Sequence, residues 1–306
     1  MKIVFMGSST FAIPSLRILK QAQYNVEAVY TQPPRKAGRG KSFREVPLAE
    51  FAFSEGLKVE QPQTFNNRHA LAVLKSYNPD FLVVVAYGLI LPREVLEIPK
   101  EFSINVHGSL LPFWRGAAPI NQVIFNRESL TGVSIIKMVE ELDAGPILGQ
   151  EKVLLDHTET FGSLHNLLSE LGAKNLLKTL SNIDTAEEIP QNDKLASYAP
   201  KIKKLDTKLD FNHQASTLEA RIRGLAPNPG AWFEYKKERF KVFSAEVVEG
   251  KGRAGSIINE NLTIACGEKA LNILKIQRQG KDIMSVSDLL RGFKFKKGDL
   301  VNQLTH

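Results

Sequence analysis

Residues 81–88 read Phe-Leu-Val-Val-Val-Ala-Tyr-Gly, FLVVVAYG. The apolar run has no polar break, three of its residues are β-branched, and a glycine closes it. A run with no polar face is read as a strand buried on both sides. Such a strand sits inside a sheet with helices on both faces.

The neighbouring segments fit that placement. KIVFMG (2–7) is a short apolar strand entering a glycine. TFAIPSLRILKQA (10–22) then spaces Phe11, Leu16, Ile18 and Leu19 for one helix face. VEAVYTQ (26–32), FSINVHGSL (102–110) and TGVSIIKM (131–138) read as further strands, with helical patterns between them. GPILGQEKVLL (145–155) is another extended segment, and 160–183 is an amphipathic helix stepping through Leu164, Leu167, Leu168, Leu171, Leu176 and Leu180. This order predicts an α/β domain, doubly wound and Rossmann-like, with a mostly parallel sheet.

The pattern changes near residue 207. After a helical STLEARIRGL (216–225), short β-like runs follow, separated by Gly and charged turns: AWFEYKK, RFKVFSAEVVE, GSIINE, LTIACG and ALNILKIQRQ. They predict a small, partly open, OB-like β-barrel. The polar stretch from Asp184 to Asp206, with Pro190 and Pro200, reads as a linker along the surface. The expected division is a catalytic domain at 1–189, a linker at 190–206 and a C-terminal domain at 207–306.

Composition narrows the function classes. The 306 residues carry a net charge of +7. Residues 201–306 hold 20 Lys and Arg against 12 Asp and Glu, a net of +8, so the excess lies in the C-terminal part. That pattern suits a polyanionic partner, with nucleic acid first; a solvated surface is the plainer explanation. Cys266 is the single cysteine, so an internal disulfide or zinc cluster is excluded and a reducing cytoplasm is the expected location. The N-terminus lacks a secretory apolar region, and no stretch approaches the roughly 20 apolar residues of a spanning helix.

MGSSTFA (6–12) has one glycine, so the dinucleotide fingerprint is missing. Ser8, Ser9 and Thr10 are expected to cap the first helix. TQPPRKAGRGKSFREVP (31–47) follows the second strand and carries Arg35, Lys36, Arg39, Lys41 and Arg44. It is expected to leave the ligand-binding edge of the sheet as a mobile basic arm suited to phosphates.

The chemistry is concentrated in INVHGSLLPFWRGAAP (104–119). Asn105 and His107 share one strand face by period-two spacing, near the strand's C-terminal end. An amide donates to an oxygen becoming negative; an imidazole does the same and moves protons. Asp143, in EELDAGPIL after a strand, is the candidate carboxylate partner, although a turn Asp often supports only its own backbone. G-x-S-x-G is missing, and His69, His157, His165, His213 and His306 are too scattered for metal spacing. Direct acyl-type transfer, without an acyl-enzyme or a metal, fits these residues best.

At these motifs the chain resembles the folate-dependent formyltransferase family. The matching segments are INVHGSLLPFWRGAAP, TGVSIIKM with LDAGPIL, VVVAYGLILP (83–92), TQP with AGRGK, and SYAPKI (197–202). The basic AGRGK insertion and the C-terminal β domain point to the branch acting on tRNA. Gly7-Ser8-Ser9 departs from the Gly-Thr-Pro usual there. The resemblance implies 10-formyltetrahydrofolate as donor and the α-amine of initiator methionyl-tRNA as acceptor, in a monomer. It implies that Asn105 and His107 stabilise the oxyanion, with Asp143 holding His107. Ser109, Leu110, Leu111 and Pro112 would contact folate, and Tyr87, Gly88, Leu89, Ile90 and Leu91 would offer backbone groups to the pterin. Arg35, Lys36, Arg39, Lys41 and Arg44 would meet the tRNA. A relative acting on an amino-sugar nucleotide, a hydrolase relative, and a non-catalytic RNA-binding protein are the alternatives.

Overall fold

A computed structural model describes residues 1–37 and 42–302. Arg39 and Lys41 of the basic arm lie outside the described residues. In chain order the first strands and helices are β1 (Lys2–Gly7), α1 (Ile13–Gln21), β2 (Asn25–Tyr30), β3 (Arg35–Ala37), β4 (Ser42–Arg44), α2 (Pro47–Ser54), β5 (Val59–Glu60) and α3 (Arg68–Ser76). Next come β6 (Phe81–Val85), α4 (Arg93–Leu96), β7 (Phe102–His107), β8 (Arg115–Gly116), α5 (Pro119–Phe125), β9 (Leu130–Lys137), β10 (Ile147–Leu154), α6 (Phe161–Ser181) and β11 (Tyr198–Ala199). The remainder is α7 (Ala215–Leu225), β12 (Ala231–Tyr235), β13 (Glu238–Val248), β14 (Thr263–Ala265), β15 (Ala270–Arg278), β16 (Ile283–Ser285) and α8 (Val286–Leu290).

Two compact units form. One gathers Met1–Pro119, Leu130–Val153 and His165–Ala199; the other gathers Ile120–Ser129, Leu154–Leu164 and Pro200–His306. The second unit thus takes two segments from within residues 1–189 as well as the basic C-terminal part.

The first unit holds a seven-stranded sheet in the order β10-β9-β7-β6-β1-β2-β5. β5, β2, β1, β6 and β7 are parallel, and β9 runs antiparallel to β7. The chain goes outward from β1 through β2 and β5, then crosses to the other side of β1 for β6 and β7. The strand order therefore reverses between β1 and β6, and the C-terminal ends of β1, β6 and β7 border the crevice that follows from that reversal. The FLVVV run is β6, and all five residues are buried. Val4, Met6, Leu82 and Val84 form one apolar cluster with Tyr30, Phe65 and Tyr87.

Two local expectations change. The basic arm is not without structure: β3 and β4 pair as an antiparallel ribbon, Arg35 opposite Arg44 and Lys36 opposite Phe43. Nor do the serines cap the first helix. Ser9 starts a 3₁₀ turn without a side-chain cap bond, because Pro14 and the preceding turn supply the entry to α1.

In the second unit β12-β13-β15-β14 form an antiparallel sheet, with β16 on β15. Register shifts near Ser244 bend the eleven-residue β13, as bulges do where a sheet curls. Its core is aromatic: Phe233 stacks on Phe240, and Tyr235 and Phe295 pack beside them. The result is the small curled β domain expected from the spacing of its strands.

Candidate active site

Asn105 and His107 lie in the C-terminal half of β7, beside β6 on one side and β9 on the other. Asn105 pairs with Val84 and Ile136, and His107 with Ser134. Asn105 Nδ2 donates to the Val84 carbonyl at 3.2 Å. That acceptor fixes which end of the amide is nitrogen. Asn105 Oδ1 is buried and has no hydrogen-bond partner. A buried amide oxygen without a donor is costly unless a ligand completes it.

His107 has an oxygen neighbour at each ring nitrogen. Nε2 lies 3.0 Å from the Trp114 carbonyl. A carbonyl only accepts, so Nε2 carries a proton. Nδ1 faces Asp143 Oδ2 at 3.6 Å, and both side chains are largely buried, at 7% and 12% exposure. Asp143 Oδ2 also accepts from the Gly116 backbone N–H at 2.8 Å. Trp114 and Asp143 both have left-handed backbone, with φ of 62° and 54°. Such conformations at non-glycine residues cost free energy and persist where surrounding contacts impose them. The structure thus brings together the amide, the imidazole and the carboxylate singled out in the sequence.

The segment after His107 is braced from β9 and β10. Ser134 Oγ donates to the Ser109 carbonyl and accepts from the Leu111 N–H. Gln150 Nε2 donates to the Leu111 carbonyl and to Ser134 Oγ. Ser109 Oγ donates to the Phe113 carbonyl. Ser109 and Leu111 are therefore buried, and Leu110 and Pro112 are partly open. Ser134 and Gln150 were not singled out from the sequence; a glutamine in a β-strand was the only sign of them.

The loop after β6 has a mixed character. Tyr87 and Leu91 are buried, Leu89 is half-buried, Gly88 is exposed and Ile90 is 95% exposed. Burial pushes the Tyr87 phenol well above its usual range, and its hydroxyl has no partner. Gly88 has φ +79°, and a Cβ there would meet Gln32 Nε2 at 2.5 Å. Ser8 ties this loop to β2: its hydroxyl donates to the Tyr87 carbonyl and accepts from the Gln32 N–H. Ser8 therefore works as a brace across the three strand ends rather than as a helix cap.

The ribbon's Arg35 donates to Gln32 Oε1, while Lys36 and Arg44 are exposed. Phe43, opposite Lys36 in the ribbon and next to Arg44 in sequence, is 69% exposed, with the Lys36 ammonium 5.6 Å from its ring centroid. An exposed aromatic among cations is a surface that bases and phosphates can both use. Among the described residues no group of His, Cys, Asp and Glu could hold a metal ion, and no helix is long and apolar enough to cross a membrane.

An α/β sheet with an amide, an imidazole and a carboxylate at its switch-point edge, followed by a curled β domain, has the architecture of a group-transfer enzyme. Residues 1–180 match the family described as "Formyl transferase", and residues 201–294 match "Formyl transferase, C-terminal domain". The chain is 40% identical over 298 residues to the methionyl-tRNA formyltransferase of Ruegeria pomeroyi, covering 97% of this chain and 99% of that one. In structure it is similar to the methionyl-tRNA formyltransferase of Clostridium thermocellum (TM-score 0.60, 17% identity, 93% and 99% of the two chains). It is also similar to Aquifex aeolicus HypX in complex with tetrahydrofolic acid (TM-score 0.65, 18% identity), covering 99% of this chain and about half of that one, 51%. The chain therefore belongs to the formyl transferase family and, by identity over nearly its full length, to the methionyl-tRNA formyltransferases within it.

Proposed function

We propose that this protein moves a formyl group from 10-formyltetrahydrofolate to the α-amine of methionine on initiator tRNA, acting in the cytoplasm as a monomer. The observation that carries the site assignment is Asn105: its amide oxygen is buried without a partner, beside a His–Asp pair at the sheet edge. An amine approaching the formyl carbon offers an N–H to that oxygen. The second Nδ2 hydrogen, not used by Val84, is available to the formyl oxygen as it becomes negative.

The donor supplies an activated formyl carbonyl. The amine nitrogen bonds to its carbon, the bond from that carbon to the folate nitrogen breaks, and a proton passes from amine to folate nitrogen. His107 and Asp143 manage that proton. Asp143 stands at Nδ1, and the Trp114 carbonyl orients the ring through Nε2. For Nε2 to donate to the oxyanion, the ring exchanges the Trp114 carbonyl for the substrate oxygen. Asn105 Nδ2, already fixed by the Val84 carbonyl, stabilises the developing charge without that exchange.

The remaining assignments follow the same edge. The braced Ser109–Pro112 segment and the Tyr87–Leu91 loop form the folate side, with Gly88 leaving backbone open for a planar ring. Residues 1–189 carry the chemistry. The exposed Lys36 and Arg44, with Arg35, Arg39 and Lys41, meet the acceptor end of the tRNA, and the basic domain from 207 holds its backbone.

Asn105→Ala and His107→Ala test this directly. Methionyl-tRNA binding should persist while formyl transfer falls by more than ~10²-fold. Wild-type transfer by either variant would remove the oxyanion and proton roles.

A further inference from the structure

We infer that Gln191 is a positioning residue for the transfer reaction: its amide links the buried Arg115 guanidinium to the backbone of the Asp143 turn. The inference rests on the assignment of Asn105, His107 and Asp143 given above.

Gln191 lies in the polar stretch read from sequence as a surface linker. In the structure that stretch returns to the strand edge. Arg115, 1% exposed, donates to Gln191 Oε1 through Nε at 3.1 Å and Nη2 at 2.9 Å. Gln191 Nε2 donates to the Asp143 carbonyl and the Gly145 carbonyl, each at 2.7 Å. The amide is saturated. A guanidinium only donates and a carbonyl only accepts, so its orientation is fixed at both ends.

These bonds close a ring around Asp143. Its carbonyl is reached from the Arg115 side chain through Gln191. Its carboxylate is held by the N–H of Gly116, the next residue. Asp143 has φ 54°, a conformation a free turn would leave. The same stretch steadies the other side of His107. Ser197 accepts the Arg115 N–H through its carbonyl and the Trp114 N–H through Oγ, and β11 pairs with β8. Trp114 in turn presents the carbonyl that takes His107 Nε2. Residues 191–199 therefore brace both neighbours of the imidazole, and Gln191 fixes the backbone turn that carries the carboxylate.

A merely structural Gln191 would only give Arg115 an acceptor, although Asp193 Oδ1 already lies 2.7 Å from Nη2. Glutamate preserves that service. It cannot donate to the Asp143 and Gly145 carbonyls, and turns an acceptor oxygen toward both. Gln191→Glu thus separates the two roles, and Gln191→Leu removes both.

The test compares wild type, Gln191→Glu, Gln191→Leu and Asp143→Asn with 10-formyltetrahydrofolate and methionyl-tRNA, reading kcat, KM for tRNA and Tm. The expected result is that kcat of Gln191→Glu falls by about tenfold to a hundredfold, the scale of a small misplacement of a reacting group. Its KM for tRNA stays at the wild-type value, its Tm falls modestly because two hydrogen bonds are lost, and kcat of Asp143→Asn falls at least as far. Wild-type kcat in Gln191→Glu, with Asp143→Asn impaired, would overturn the role of Gln191 and leave the site assignment standing. A loss in Gln191→Glu that disappears when the assay is run well below its Tm, or that lies in KM instead of kcat, would overturn it too. Wild-type kcat in Asp143→Asn would instead overturn the assignment on which the inference rests. Should Gln191→Leu fail to fold, Gln191→Glu alone decides.

Discussion

Asp143 Oδ2 stands 3.6 Å from His107 Nδ1 while taking the Gly116 N–H at 2.8 Å. The carboxylate is thus anchored by backbone and directed at the imidazole. Asp143→Asn keeps the shape and removes the charge. Transfer should fall by ~10²–10⁴-fold, the usual scale for a positioned acid–base group, with tRNA binding unchanged. Single-turnover formylation measures it, and a loss below tenfold would make Asp143 a turn residue only.

Gly116 should tolerate no side chain. Its φ is +116°, and an added Cβ would meet the Ala199 carbonyl at 2.8 Å. Gly116→Ala must displace β11 or the N–H that holds Asp143. A destabilisation of about 1–3 kcal/mol is expected, together with lower kcat. Chemical denaturation and steady-state kinetics read the two effects, and a variant normal in both would contradict the packing described.

The β3–β4 ribbon should act through phosphates. Replacing Lys36 and Arg44 together with alanine should weaken methionyl-tRNA binding and make its salt dependence shallower by roughly one power of salt concentration per lost phosphate contact. KM for 10-formyltetrahydrofolate should not change. Equal effects on both substrates would place the ribbon's action elsewhere.

His165 gives the first unit a pH dependence. Burial holds its imidazole below the ordinary range, with a weaker opposing bond from Asn166. The folded state resists protonation, and the unfolded chain takes a proton below about pH 6.5. Its contribution to stability is therefore full above that value and declines as pH falls through it. Melting temperatures from pH 7.5 to 5 should drop for wild type and drop less for His165→Gln. An unchanged slope would show that other groups set it.

Cys266 should be inert. The thiol is buried, and burial pushes it up to about 12. At pH 8 the thiolate fraction is then on the order of 10⁻⁴. A thiol reagent should label the protein only as it unfolds, whereas labelling of the native protein within seconds would show that the pocket opens.

Much of the fold was legible because it rests on period and apolar runs. FLVVV could only be an inner strand, and the return of extended segments after residue 207 marked a second architecture. Asn105, His107 and Asp143 were legible for a different reason: polar groups on one face at a strand end, and an aspartate before Gly-Pro, are wasteful unless used. The residues that support them were not. Gln191 sits in a polar stretch that looks solvated, and Ser134 and Gln150 act through backbone carbonyls more than a dozen residues away. Ser8 looked like a cap because a serine before a helix usually is one; only the proximity of Tyr87 and Gln32 shows otherwise. Such long-range hydrogen bonds leave no periodic trace in sequence.

The most direct measurement is formyl transfer from 10-formyltetrahydrofolate to charged initiator tRNA, with elongator methionyl-tRNA as control. Formyl-methionine should appear on the initiator alone, and Asn105→Ala should abolish it without releasing the tRNA. Consumption of the folate with no formyl group on either tRNA would contradict the proposed acceptor and assign the site to water or a small amine.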